Sequence, residues 1–210
     1  MKKYSFRELK RDIVGRLKLG MADYGFVYKG NEMDFERTMA EVRWLFRLGF
    51  VKHTSDFDVI ASIAVGLDEL EKLMHEDEPR ILPRYSLGAE LGNIGEGKQK
   101  RWNVRTEEDI EAVSKSILKT FLEVALPYLE RYSVMENALE AFSGDDRSAW
   151  LHSPIHDVRA KRAIALAFLL RDHDAFSKLA DKKTEFLTNR QDPMLQKFLD
   201  FRHKLESRMT

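Results

Sequence analysis

The stretch Val42-Arg43-Trp44-Leu45-Phe46-Arg47-Leu48-Gly49-Phe50-Val51-Lys52-His53-Thr54-Ser55-Asp56-Phe57-Asp58-Val59-Ile60-Ala61-Ser62-Ile63-Ala64-Val65 decides the fold. In its first half Val42, Trp44, Phe46, Leu48 and Phe50 alternate with Arg43, Leu45, Arg47, Gly49 and Val51. In its second half Phe57, Val59, Ala61, Ile63 and Val65 alternate with Asp58, Ile60, Ser62 and Ala64. A period of two sustained this long marks strands of an antiparallel pair. A one-residue slip would turn every side chain to the other face. Burying both heavy apolar sets together therefore pairs Lys52 with Phe57 and Phe46 with Ile63. His53-Thr54-Ser55-Asp56 is then a four-residue hairpin loop.

Before this hairpin, Ser5 and Glu8 have the spacing of a capping box. Phe6, Leu9, Ile13, Leu17 and Met21 continue from it as one apolar helical stripe, which Gly25 stops. Phe26 to Lys29 and Phe35 to Met39 are short strands around the turn Gly30-Asn31. After the hairpin, Asp68 caps a short helix through Leu70, Leu73 and Met74, broken at Glu76-Asp77-Glu78-Pro79. Tyr85 to Leu91 and Arg101 to Val104 read as two further strands, joined as a hairpin by the loop Gly92 to Gly97. Thr106 with Asp109 opens a long helix carrying Ile110, Val113, Ile117, Phe121 and Val124. Pro127 ends or kinks it, and Ser133 with Glu136 restarts a helix through Phe142.

Ser143-Gly144-Asp145-Asp146-Arg147-Ser148 reads as a linker, open to proteolysis if the C-terminal residues dock loosely. Beyond it the pattern is helical. Ser153-Pro154 starts a helix to about Leu170, Asp174 to about Asn189 forms a second, and Asp192-Pro193 starts a third. Arg171-Asp172-His173 joins the first two into an antiparallel hairpin. The expected class is α+β: an antiparallel meander sheet packed by helices, then a C-terminal helical hairpin plus one helix. The expected division is an α+β domain over 1–145 and a helical subdomain over 150–210.

The 210 residues hold 35 Lys and Arg against 35 Asp and Glu, a balance that weighs against a dedicated nucleic-acid binder. There is no cysteine, which excludes disulfides, thiolate nucleophiles and Cys-ligated metal centres. The longest apolar run, Ala163 to Leu170, is far short of the roughly 20 residues that span a bilayer. Residues Met1-Lys2-Lys3-Tyr4-Ser5-Phe6-Arg7-Glu8 become charged again where a signal peptide would turn apolar. These features lead to the expectation of a cytoplasmic protein with no membrane association.

The order of elements also carries a resemblance. A helix leads into Tyr24-Gly25-Phe26-Val27-Tyr28-Lys29-Gly30, and a meander ends in the apolar strand Ile60 to Gly66. Then come Leu87-Gly88-Ala89-Glu90-Leu91, Arg101-Trp102, Thr106-Glu107-Glu108-Asp109 and Ala125-Leu126-Pro127-Tyr128-Leu129-Glu130-Arg131-Tyr132. Over about residues 5 to 142 this resembles the mostly bacterial family catalogued as domain of unknown function 4304. The resemblance implies a fold and no particular activity, and it leaves the C-terminal helices outside the common pattern.

Several motifs suggest chemistry. Gly92-Asn93-Ile94-Gly95-Glu96-Gly97-Lys98 has the spacing of a phosphate loop, but Gln99 stands where a hydroxyl residue must hold magnesium, and a strand follows instead of a helix. Lys98, Lys100, Arg101 and Arg105 surround Trp102; they are either phosphate contacts beside a stacking ring or solvated neighbours of an inward-facing indole. His152 and His156 stand four apart, yet Pro154 starts the helix between them and leaves His152 outside it, so no metal is expected. No G-x-S-x-G elbow is present, and Glu107-Glu108 and Asp145-Asp146 fit a helix start and a linker. The outer hairpin face, with Arg43, Leu45, Arg47, Gly49, Val51, Asp58, Ile60, Ser62 and Ala64, is too apolar for a solvated sheet. Either the C-terminal helices cover it, or it is a shallow groove in which Arg43 and Arg47 meet an acidic partner.

The functional expectation is a non-catalytic interaction protein that binds another macromolecule, a protein such as a toxin to be neutralised or a regulatory partner. Its candidate binding residues are Arg43, Arg47, Ser62, Lys98, Arg101 and Trp102, with no catalytic residue and no cofactor. One alternative is an enzyme or binding protein for an anionic small molecule clamped by Arg43 and Arg47. Another is an RNA or single-strand binder working through the Trp102 region.

Overall fold

The computed structural model describes residues 5–30, 33–76 and 85–209. The chain groups into two compact units, Met1–Ala64 with Ala89–Glu130, and Val65–Gly88 with Arg131–Thr210. The division therefore does not follow the 145/150 split, since residues 65–88 and 131–145 group with the C-terminal helices. The expected turn at Gly30-Asn31 and the break at Glu76-Asp77-Glu78-Pro79 lie partly outside the described residues. The class is α+β, with an antiparallel sheet followed by helices.

The first unit opens with α1 (Phe6–Ala22), whose Ser5–Glu8 capping box is formed in both directions. Leu9, Ile13, Val14, Leu17 and Met21 are its buried stripe. Gly25 ends it at φ +76°, a left-handed conformation that costs glycine nothing, with its N–H donating to Ala22 O at 2.9 Å. The strands β1 (Val27–Lys29), β2 (Asp34–Thr38), β3 (Val42–Lys52) and β4 (Phe57–Leu67) follow as an antiparallel meander.

The turn hydrogen bond from His53 N–H to Asp56 O, 2.9 Å, closes the β3–β4 hairpin around residues 53–56 as expected. A Cβ on Gly49 would come within 2.7 Å of Ile60, its facing residue in that same register. Trp44, Phe46 and Leu48 are buried with Phe57, Val59, Ala61 and Ile63 on the inner face.

Beyond the hairpin the edge of the sheet differs from the expectation. The strands β5 (Leu87–Glu90) and β6 (Trp102–Val104) do not form a hairpin with each other; both pair with β4. Between them the glycine-rich segment winds into a short helix, α3 (Leu91–Gly95). A Cβ on Gly92 would overlap the backbone N of Lys100 and the carbonyl of Lys98, so only glycine lets the chain close this excursion. The Glu90 carboxylate secures the neck, accepting from Lys100 N–H at 3.1 Å and from the Gln99 amide at 2.9 Å.

The helix α4 (Glu108–Thr120) does not stop before Pro127. It widens into a π-helical segment, Phe121–Ala125, and continues as α5 (Leu126–Tyr132). Leu126 N–H donates to Phe121 O, five residues back. Proline removes one donor and crowds the carbonyl four residues earlier, and the wider turn lets the helix absorb both. It also sets Phe121 against three rings, edge to face with Tyr24, Phe26 and Phe46 at 5.7, 5.3 and 5.5 Å between centroids.

The second unit holds α2 (Asp68–Met74), α6 (Met135–Ser143), α7 (Arg147–His152), α8 (His156–Leu169), α9 (His173–Asn189) and α10 (Leu195–Glu206). Four expected caps are displaced by a residue or more: Leu67 rather than Asp68 precedes α2, Val134 rather than Ser133 precedes α6, Ile155 rather than Ser153 precedes α8, and Met194 rather than Asp192 precedes α10. Buried Ala160, Ala163, Ala165 and Ala167 make α8 slim enough for α2, α6, α9 and α10 to pack around it. The two tight links after α8 and α9 repeat one device. Arg171 and Gln191 take φ near +57° and +50°, and the next N–H, from Asp172 or Asp192, returns to Ala167 O or Leu187 O at 3.0 Å.

The expected linker at 143–148 is instead an anchored segment. Asp146 caps α7 by accepting from Ala149 N–H at 3.1 Å. Lys183, fully buried, donates to Ser143 O, Gly144 O and Asp145 Oδ1 at 3.2, 2.9 and 2.6 Å. An ammonium has three donors, and here each has an acceptor. The other deep pair is Arg162 with Glu71, 3.1 Å apart, with the guanidinium also donating to Tyr85 O.

This packing sets two expected outcomes. Phe121→Ala and Trp44→Ala should each lower unfolding stability by about 3–5 kcal/mol, read from urea midpoints, because each empties a buried aromatic site. Lys183→Met should make the chain susceptible to limited proteolysis at residues 144–146, where the wild type resists, because two carbonyls and Asp145 lose their buried cation.

Candidate functional site

The expected site residues fall into separate places. On the outer face of the first unit, Arg47 is already paired: its Nε and a terminal nitrogen donate to the two carboxylate oxygens of Asp34, both at 2.7 Å. Asp34 faces Arg47 across β2 and β3 and is itself buried, so this fork–fork pair holds the two strands in register. Around it Leu45 is buried, while Arg43, Gly49, Val51, Asp58, Ile60, Ser62 and Ala64 are half-buried. Arg43 and Arg47 share a face, but Arg47 has its carboxylate from within the chain.

Trp102 faces inward. Its ring is buried and its indole N–H donates to Ser116 Oγ at 2.9 Å, which leaves no face for a stacked base. Lys98 is well exposed, 3.9 Å from Glu96. Arg101 leaves this neighbourhood for the hairpin tip, where a terminal nitrogen meets Asp58 Oδ2 at 3.3 Å.

Asp58 is a hub. It accepts from the Asn103 amide at 3.0 Å and lies 3.2 Å from His53 Nε2. The Asn103 hydrogen bond first, then His53 and Arg101, hold its carboxyl below the usual carboxylate range. The pairing Asp58↔Asn103 between β4 and β6 is what brings these groups together.

Beside this hub opens a cleft of about 730 Å³ whose residues no sequence motif groups. Three chain ends meet there: the start of α1, the β3–β4 hairpin loop, and the turn from β6 into α4. Phe6, Leu9, Phe57 and Val104 make an apolar floor, with Phe6 edge-on to Phe57 at 4.9 Å. Lys52, the loop 53–56, Arg105, Glu107 and Glu108 form the rim.

The rim groups differ in what already holds them. Arg105 Nε donates to Asn103 Oδ1 at 3.0 Å and lies 3.9 Å from Asp56. The Lys52 ammonium sits 5.9 Å from the Phe6 ring centre. Lys52, Glu107 and Glu108 form no ion pair among the described residues. Asp109 takes the N–H groups of Arg105 and Thr106 at 2.8 and 2.9 Å, and those bonds hold its carboxyl below the ordinary range. The sequence signals for these parts were all present as a helix stripe, a hairpin loop and a cap. None of them marked a common cavity.

The second unit contains its own unusual groups. His156 lies between the rings of Trp150 and Phe186, at 5.3 and 5.4 Å, while Trp150 is 46% and Ile155 58% exposed. His152 turns to a different partner and meets the Tyr132 hydroxyl at 3.3 Å. Among the described residues no group of three or more His, Cys, Asp or Glu could hold a metal ion. No helix of the described residues is long and apolar enough to cross a membrane. The chain matches none of the protein-family models, curated proteins or solved structures with which it was compared.

Burial, with the Arg131 charge adding to it, pushes the His152 imidazole down from 6.5 to about 4. The unfolded chain therefore binds a proton between pH 6.5 and about 4 that the folded chain refuses. Stability from this group is complete above pH 6.5 and is lost as pH falls to about 4. His152→Gln should flatten that part of the stability curve relative to wild type, measured by urea unfolding at half-unit pH steps.

Proposed function

We propose that this protein is an interaction protein that holds a segment of a protein partner in the hairpin-tip cleft. The observation that carries this reading is the cleft itself. It combines an apolar floor with three rim charges, Lys52, Glu107 and Glu108, that form no ion pair among the described residues. A concave apolar surface with a few polar groups around it is the usual form of a binding site. Phe6 and Phe57 supply aromatic contact area, of the kind that anchors protein interfaces.

This reading moves the site away from the expected residues. Arg47 is satisfied by Asp34, and Trp102 is turned into the core. Both facts favour a protein partner at the hairpin tip over an anionic small molecule or a stacked nucleic acid at those residues. The resemblance of residues 5 to 142 to domain of unknown function 4304 is part of the same proposal and supplies no activity.

The test is steric. Ser55 is exposed in the hairpin loop, so Ser55→Trp should fill the cleft without disturbing the fold. Tagged wild type and Ser55→Trp would be used to capture partners from native extract, with mass spectrometry as the readout. The expected result is at least a tenfold loss of the captured partner in the variant. Undiminished capture by a folded Ser55→Trp would move the interface elsewhere, with the exposed Trp150 and Ile155 next in line.

A further inference from the structure

We infer that the segment held in the cleft is a short extended peptide presenting an apolar side chain flanked by lysine or arginine. This rests on the cleft being the interaction site and adds the chemistry of its occupant. The floor of Phe6, Leu9, Phe57 and Val104 asks for an apolar anchor. The rim decides the charge beside it.

Arg105 and Asp56 face each other, so they largely cancel. What is left is one ammonium, Lys52, against two carboxylates, Glu107 and Glu108, none of them in an ion pair among the described residues. Carboxylates are favoured in the first turn of any helix. Here Asp109 already sits at that end, accepting the N–H groups of Arg105 and Thr106 just before α4. Glu107 makes no side-chain capping bond, and both it and Glu108 line the cleft.

An anionic occupant has little to bind. The start of α1, the other helix end at the cleft, already carries the Glu8 carboxylate of the Ser5–Glu8 box. A phosphate or carboxylate would meet two rim carboxylates and, at each helix start, a carboxylate already seated there, Glu8 or Asp109. A cationic side chain meets the reverse.

An extended peptide also suits the backbone. β6 pairs with no strand other than β4 among the described residues. Adding a strand to a sheet edge is a common mode of peptide recognition.

The test uses the full chain and two fluorescein-labelled octapeptides, one alternating Lys with Phe and one alternating Glu with Phe, read by anisotropy. The wild type carries no net charge, so bulk attraction favours neither peptide. The Lys peptide should bind at least tenfold more tightly than the Glu peptide. Glu107→Lys with Glu108→Lys should reverse that order. Glu41→Lys with Glu130→Lys, equal in net charge, exposed and not among the residues that line the cleft, should leave it unchanged.

Tighter binding of the Glu peptide, or equal binding of both with loss of both in Ser55→Trp, would overturn the charge assignment while leaving the cleft as the interaction site. Binding of neither peptide, or binding untouched by Ser55→Trp, would overturn both. A preference lost equally in the two double Glu variants would show a bulk charge effect and would also overturn the assignment.

Discussion

The first unit is organised around one ring. Phe121 meets Tyr24 and Phe26 from the end of α1 and Phe46 from the centre of the sheet, each edge to face. Edge-to-face contacts align the positive rim of one ring with the negative face of another, so they fix orientation as well as burying area. Three such contacts on one residue lock a helix, a turn and a strand together. The π-helical turn at Phe121–Ala125 is part of that lock, since it carries Phe121 and accommodates Pro127.

The same core sets where the cleft lies. With α1 held at its end by Tyr24 and Phe26, its first residues come to the hairpin tip, where Phe6 packs on Phe57. The pairing of β6 with the start of β4 brings Val104 and the first turn of α4 to the same place. The cleft is the gap among three element ends that the core positions but does not fill. Its rim charges are spared because the ones needed for structure, Asp58, Asp109 and Arg101, are already engaged nearby.

The second unit uses buried charge where the first uses rings. Lys183 and Arg162 are taken out of water, and their desolvation is offset by carbonyls and by Asp145 or Glu71 at short range. Burial lowers the pKa of both bases, most directly through desolvation. Such pairs add little net stability compared with apolar packing, but a mismatched arrangement would leave a bare charge in the core.

The local elements are legible in the order of residues alone. The Ser5–Glu8 box, the stop at Gly25, the β3–β4 hairpin with its loop at 53–56, and the C-terminal helices are all set by neighbours within a few residues: caps, periodicity and turn chemistry. The inward facing of Trp44 and Phe46 belongs with them, because alternation leaves one choice of face. Features that depend on distant partners are settled only when the chain packs. Packing placed β5 and β6 both on β4, kept the helix going through Pro127, turned the glycine-rich loop into α3, and converted an apparent linker into a segment held by Lys183. The cleft belongs to this second class. Its residues lie at 6–9, 52–57 and 104–108, and no local pattern links them. Only the pairing of β6 with β4 and the packing of α1 on Phe57 bring them within reach of one ligand.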